Sequence, residues 1–256
     1  MSQTTPWAKA FQYLDKRYFG LLKSDLRRFI GNPTNQVSFL VCGAQKCGTT
    51  SLDSYLRQHP DICMANHKEL HYFDSENKFL YPNINYQEYL SHFEPEHQNQ
   101  ILGETTPSYM YWYTAPRRIW EYNPDMKLLI LLRNPIDRAY SHWNMQRDRG
   151  VEKLNFMDAL LAEENRRYAS RPLQSKRFSY LDRGFYSEQI RRLRGFFSQG
   201  QLLIIKSEKL RSKPEATLQM ISQFLEIEPF PEIKPQSVHV RSYETQLTQF
   251  EWEFLA

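Results

Sequence analysis

Val37-Ser38-Phe39-Leu40-Val41-Cys42-Gly43-Ala44-Gln45-Lys46-Cys47-Gly48-Thr49-Thr50-Ser51 is an apolar run that passes into a small polar loop bounded by glycines. Its pattern predicts a buried strand over Val37 to Cys42, a tight turn over Gly43 to Gly48, and the first turns of a helix over Thr49 to Arg57. Backbone N–H groups at such a helix N-terminus converge on an anion, and the helix dipole favours its negative charge. The stretch therefore reads as a strand, loop and helix built to hold phosphate.

Outward from this unit, strands and helices alternate. His59-Pro60 ends the first helix, and Ile62 to Met64 is short enough for a second strand. Asn85 to Phe93 is expected to be helical, Gln100 to Glu104 a strand, Ala115 to Tyr122 a helix, and Met126 to Leu132 a wholly apolar central strand. Helices are expected after Arg133 and over Asn155 to Tyr168 and Ser187 to Phe197. A strand follows at Gln201 to Ile205, then a helix at Pro214 to Leu225 with proline in its first turn. The alternation predicts an α/β fold, a P-loop-like mainly parallel sheet flanked by helices, in a single domain over 36–256. Residues 1–35 are expected to form an N-terminal helical extension, because Trp7, Phe11, Leu14, Tyr18, Leu21, Leu22 and Leu26 recur at near-helical spacing.

Composition sets the bounds. A chain of 256 residues with 41% hydrophobic and 14% aromatic residues suffices for one large core, and a net charge of +4 fits an anionic ligand. The three cysteines, Cys42, Cys47 and Cys63, have no zinc-like spacing and read as free thiols of a reducing compartment. No apolar run approaches the ~20 residues of a membrane span, and no secretory leader is legible. A cytoplasmic location is expected, or the Golgi lumen if an anchor lies outside this sequence. No nucleic-acid partner is expected.

The loop departs from the P-loop pattern G-x-x-x-x-G-K-[ST]. Thr49 follows Gly48, and the lysine sits inside the loop at Lys46. A sulfuryl group carries less charge than a phosphoryl group, so one lysine beside the bridging oxygen could serve without a metal. Here the residues resemble the 5′-phosphosulfate loop, K-x-G-T-[ST], of sulfotransferases that use 3′-phosphoadenosine 5′-phosphosulfate (PAPS). The resemblance continues at Arg133-Asn134-Pro135 with Ser141 on the following helix, which implies that Arg133 and Ser141 bind the 3′-phosphate. It covers Val37 to about Tyr243 and is nearest the glycan O-sulfotransferases, including heparan sulfate 3-O-sulfotransferases and bacterial relatives.

Several expectations follow from that resemblance. Gln45, Lys46, Cys47, Gly48, Thr49 and Thr50 would hold the donor, with no metal required, and Arg241 would offer a further cation to the 3′-phosphate. Glu69, within a motif similar to E-x-H-[FY]-F-D, would be the base that deprotonates the acceptor hydroxyl. His71 is its rival, placed on the same side if the segment is strand-like. Asp74, Glu104, Thr105 and Tyr109 would contact the acceptor, a carbohydrate or similar small molecule. Thr105 to Tyr109 and Lys176 to Arg183 would border its cleft. Glu104-Thr105-Thr106-Pro107 replaces the branch's E-K-[ST]-P, and the missing lysine argues against assuming a heparan-like polyanionic acceptor. A P-loop kinase and a non-catalytic nucleotide-binding protein of the same fold are the alternatives. The missing G-K-[ST] argues against the first, and the intact Lys46, Glu69, Arg133 and Ser141 against the second.

Overall fold

The computed structural model describes residues 36–80 and 84–234. The reading of 1–35 as a helical extension and the placement of Arg241 lie outside the described residues. From Val37 on, five strands form one parallel sheet, β1 (Val37–Gly43), β2 (Ile62–Met64), β3 (Ile101–Thr105), β4 (Lys127–Leu132) and β5 (Leu202–Lys206), in the order β2-β3-β1-β4-β5. β1 lies at the centre, and Phe39, Leu40, Val41, Cys42 and the β4 run Leu128 to Leu131 are fully buried, as expected of parallel strands covered on both faces. β5 is an edge strand, which leaves Ile204 42% exposed despite its apolar sequence.

Among the described residues the helices are α1 (Thr49–Leu56), α2 (Tyr86–Leu90), α3 (Ala115–Tyr122), α4 (Pro135–Asp148), α5 (Phe156–Ala169), α6 (Tyr186–Arg194), α7 (Ser207–Ser212) and α8 (Pro214–Leu225). Local chemistry sets their starts. Asn85, Asn134 and Asn155 each accept a hydrogen bond from backbone N–H groups of the first turn, and Pro135 and Pro214 stand where a missing N–H costs nothing. α2 is shorter than the expected Asn85 to Phe93, and α7 was not expected. It follows β5 directly, without the glycine or proline punctuation that marks most boundaries here.

The main correction concerns the segment from Lys68 to Asp74, which is irregular rather than strand-like. Glu69 and His71 both adopt left-handed backbone conformations, with φ of 64° and 52°. Beneath the segment, Tyr72, Phe73, Tyr89, Tyr109 and Tyr122 form a cluster of edge-to-face and stacked rings. The Tyr109 hydroxyl accepts the Tyr72 amide at 2.9 Å, so the buried rings fix the backbone that presents His71 and Asp74.

Candidate active site

In an open parallel sheet, ligands bind beyond the carboxyl ends of the strands. A cavity of about 700 Å³ lies there, and every strand feeds it. The loop after β1 supplies Gln45 to Ser51 except Cys47. The segment after β2 supplies Lys68, Glu69, His71 and Asp74. Pro107 and Ser108 follow β3, Arg133 and Ser141 follow β4, and Ser207 and Arg211 follow β5.

The loop is shaped for an anion. Lys46 and Gly48 take left-handed conformations, φ 70° and 90°, and no side chain caps α1 at Gly48. The N-terminal amides of α1 therefore open toward the cavity wall formed by Gly48, Thr49 and Thr50. Cys47 is different. Its side chain is buried, its amide donates to the Ala44 carbonyl at 3.2 Å, and its thiol lies 3.7 Å from the Tyr186 hydroxyl. Tyr186 also donates to the Arg133 carbonyl at 3.0 Å and so ties the two anion-facing loops together. The expectation that Cys47 holds the donor is corrected: its amide is spent inside the turn.

The same cavity is lined by Lys68, Glu69, His71, Asp74 and Ser108. Lys68 Nζ bonds Glu69 Oε1 at 2.6 Å, and His71 Nε2 stands 3.7 Å from Glu69 Oε2. The other imidazole nitrogen, Nδ1, meets Asp74 Oδ2 at 2.8 Å, and Ser108 Oγ donates to the same oxygen at 2.5 Å. The His71 imidazole beside it carries Glu69 down to about 2 against its partial burial, with Lys68 adding to the shift. The hydrogen bond to Asp74 and the nearby Glu69 carboxylate lift His71 to about 9. Burial alone would raise Asp74, but the His71 and Ser108 bonds bring it below the usual range. At neutral pH the cluster is thus an imidazolium held between two carboxylates. Glu69 and His71 do face one another, through two left-handed bends rather than strand alternation.

Three expected acceptor contacts lie behind the wall instead. Glu104 and Tyr109 are fully buried, Thr105 is 1% exposed, and none lines the cavity. Glu104 accepts hydroxyls from Tyr89 at 2.6 Å, Thr106 at 2.5 Å and Tyr109 at 2.8 Å, while burial lifts its carboxyl to about 6 against those bonds. Thr105 acts through its carbonyl, which accepts the Glu69 amide at 2.9 Å. These three residues support the Glu69–Asp74 segment, and their assignment as acceptor contacts is corrected. Asp74 does line the cavity, although its side chain is fully buried.

Sequence reasoning missed Ser207, Arg211, Gln146 and Arg149 in the cavity wall. Lys176 and Arg177, with Arg183, belong to the basic connection expected to border the cleft, and they supply cations to its wall. Lys176 Nζ donates to the Asp74 carbonyl at 3.0 Å and lies 4.7 Å above the Trp112 ring. Among the described residues, Cys42, Cys47 and Cys63 are free and buried, and no helix is long and apolar enough to cross a membrane.

Comparisons with known proteins bear on this geometry. A family model described as a sulfotransferase domain matches residues 36–247. The bifunctional heparan sulfate N-deacetylase/N-sulfotransferase 2 of Homo sapiens is 32% identical over 202 residues, which is 75% of this chain and 22% of that protein. The corresponding enzyme 3 of Mus musculus is 33% identical over 202 residues, with the same two shares, 75% and 22%. This chain thus spans only 22% of the length of those relatives. A crystal structure of a sulfotransferase from Alicyclobacillus acidocaldarius matches with a TM-score of 0.71 at 28% identity, covering 88% of this chain and 90% of that one.

Proposed function

Because this chain belongs to the sulfotransferase domain family, we propose that it moves the sulfuryl group of PAPS to a hydroxyl of a carbohydrate acceptor by in-line displacement, with Glu69 as base. The observation that carries this reading is one cavity lined both by an anion-shaped loop with Lys46, Arg133 and Ser141 and by the Glu69–His71–Asp74 cluster. The residues present fit the donor. The uncapped start of α1 suits its 5′-phosphate, and Arg133 with Ser141 suits its 3′-phosphate. Lys46 steadies the bridging oxygen as charge develops there, in place of a metal.

Between Glu69 and His71, the charge states favour Glu69 as base. His71 already holds a proton up to about 9 and has no lone pair to offer at neutral pH, whereas Glu69 is ionised. Its low basicity comes from the neighbouring His71 and the Lys68 bond, and an acceptor hydroxyl that displaces the Lys68 bond makes the carboxylate more basic where the proton moves. His71, braced by Asp74 and Ser108, orients Glu69. The three free thiols support the further proposal of a reducing compartment such as the cytoplasm.

A second reading is an amine acceptor, favoured by the N-sulfotransferase activity in the names of the similar proteins. Labelled PAPS offered with fully N-acetylated and with de-N-acetylated glycan oligosaccharides separates the two. Label on the N-acetylated chains, lost in Glu69→Gln, is the expected result. Label only where free amines exist selects the second reading, and no label on any carbohydrate rejects both.

A further inference from the structure

The cavity carries positive charge that the proposed donor contacts leave unused. Arg183 lines it yet is only 3% exposed. Its Nε donates to Ser179 Oγ at 2.9 Å, its Nη2 reaches the Lys176 carbonyl at 3.4 Å, and the guanidinium lies 4.1 Å above the Tyr111 ring. Nη1 is buried without a hydrogen-bond partner among the described residues. Nearby, Arg138 of α4 is fully buried. Its Nη2 donates to the Tyr180 carbonyl, and its Nε and Nη1 are likewise unpartnered.

The two arginines repel each other, and no ion pair among the described residues includes either. Neighbouring carboxylates are committed elsewhere. Glu163 accepts the Leu181 and Asp182 amides at 2.7 and 2.9 Å, Asp182 accepts the Tyr111 hydroxyl at 2.7 Å, and Asp74 is held by His71 and Ser108. His142, also buried, is kept far below its ordinary range by burial and then by Arg138, Arg183 and Lys46, so it stands neutral and supplies no counter-charge. Two buried guanidinium groups with no carboxylate in direct contact are costly, and an arriving oxyanion relieves that cost through charge-assisted bonds.

We propose that Arg183, backed by Arg138, is an oxyanion subsite of this cavity, taking sulfonate, sulfate or carboxylate oxygens from the donor's terminal group or from an acidic substituent of the acceptor. It rests on the PAPS reading above. Arg183 lies within electrostatic reach of Asp74, in the cluster proposed to activate the acceptor, and shares His142 as a neighbour with Lys46 of the donor loop. The subsite thus stands between the two halves of the proposed reaction.

Calorimetric titration of the full chain with 3′-phosphoadenosine 5′-phosphate (PAP), with PAPS and with a sulfated heparin hexasaccharide tests it. If the donor supplies the oxyanion, Arg183→Met weakens PAPS about 10- to 100-fold more than PAP, which lacks the sulfuryl group. If the acceptor supplies it, both nucleotides bind as before and the hexasaccharide weakens by that factor. Arg183→Lys, which keeps the charge, restores most of the loss in either case. It also stands in for the methionine variant if that variant lacks a cooperative melt, with a loss of ~3- to 10-fold for the same probe from the lost fork geometry. Equal losses for PAP and PAPS with an unchanged hexasaccharide, or no change for any probe, overturns the subsite. A wild-type chain that binds no PAP overturns the donor reading instead, and the hexasaccharide arm then decides the subsite alone.

Discussion

Replacing Glu104 should destabilise the protein rather than impair an acceptor contact. The carboxylate is fully buried and accepts hydroxyls from Tyr89 at 2.6 Å, Thr106 at 2.5 Å and Tyr109 at 2.8 Å. Glu104→Ala leaves those donors without their acceptor, and each buried unsatisfied group costs ~1–3 kcal/mol before relaxation. With some rescue by rotation of the hydroxyls, a loss of about 4 kcal/mol is expected, or ~8–16 °C in melting temperature for a chain of this size. Glu104→Gln keeps one carbonyl oxygen and should cost about 1–2 kcal/mol. The pH dependence gives a second check. A carboxyl lifted by burial to about 6 binds its proton more tightly folded than unfolded, so its contribution to stability is present at low pH and declines as pH rises through about 6. The Glu104→Gln deficit should therefore shrink between pH 4.5 and 7.5. Urea melts of both variants, with PAP affinity measured on the folded fraction, provide the assay. Unchanged stability together with a raised acceptor KM refutes the supporting role and returns Glu104 to the acceptor.

Glu69→Gln should lower kcat by ~10²–10⁴-fold with PAP affinity unchanged, and near-normal turnover beside an inactive His71→Asn would move the base to the histidine. Arg133→Ala should erase any preference for PAP over adenosine 5′-phosphate, since Arg133 is the cavity-lining cation at the end of β4; a preference that survives misplaces the 3′-phosphate site. Turnover should be level through neutral pH and decline as pH rises through about 9, where His71 loses its proton, and His71→Asn should remove that limb. The stability linked to His71 has the same sign, present below its unfolded pKa near 6.5 and lost as pH rises through about 9, whereas that of Glu69 is present above 4.5 and lost as pH falls through about 2.

Elements whose apolar pattern matches their period were legible in the sequence. Ile62 to Met64, Ala115 to Tyr122 and Pro214 to Leu225 appear with the expected bounds, and β1 and β4 shift by a single residue at one end. Lys46, Glu69, His71, Arg133 and Ser141 reach one cavity because each follows a strand whose carboxyl end faces it, and strand ends can be read from patterning. What stayed hidden depends on the third dimension. Sequence position alone could not separate Ser108, which faces the cavity, from Tyr109, whose ring turns into the aromatic cluster. The same holds for Cys47, turned inward within a loop whose Gln45, Lys46 and Gly48 line the cavity. Arg183 resembled any basic loop residue until its burial beside Arg138 was seen.

The central claim, that the cavity holds a 3′-phosphorylated sulfuryl donor rather than a nucleoside triphosphate, is tested most directly by thermal unfolding of the full chain in chelator with PAP or ATP. Ligand at about 100 times its Kd stabilises the folded state by ~2.7 kcal/mol, an upward shift of ~5–11 °C. The account predicts that shift for PAP without magnesium and a far smaller one for ATP. A comparable shift from ATP that appears only when magnesium is added contradicts it.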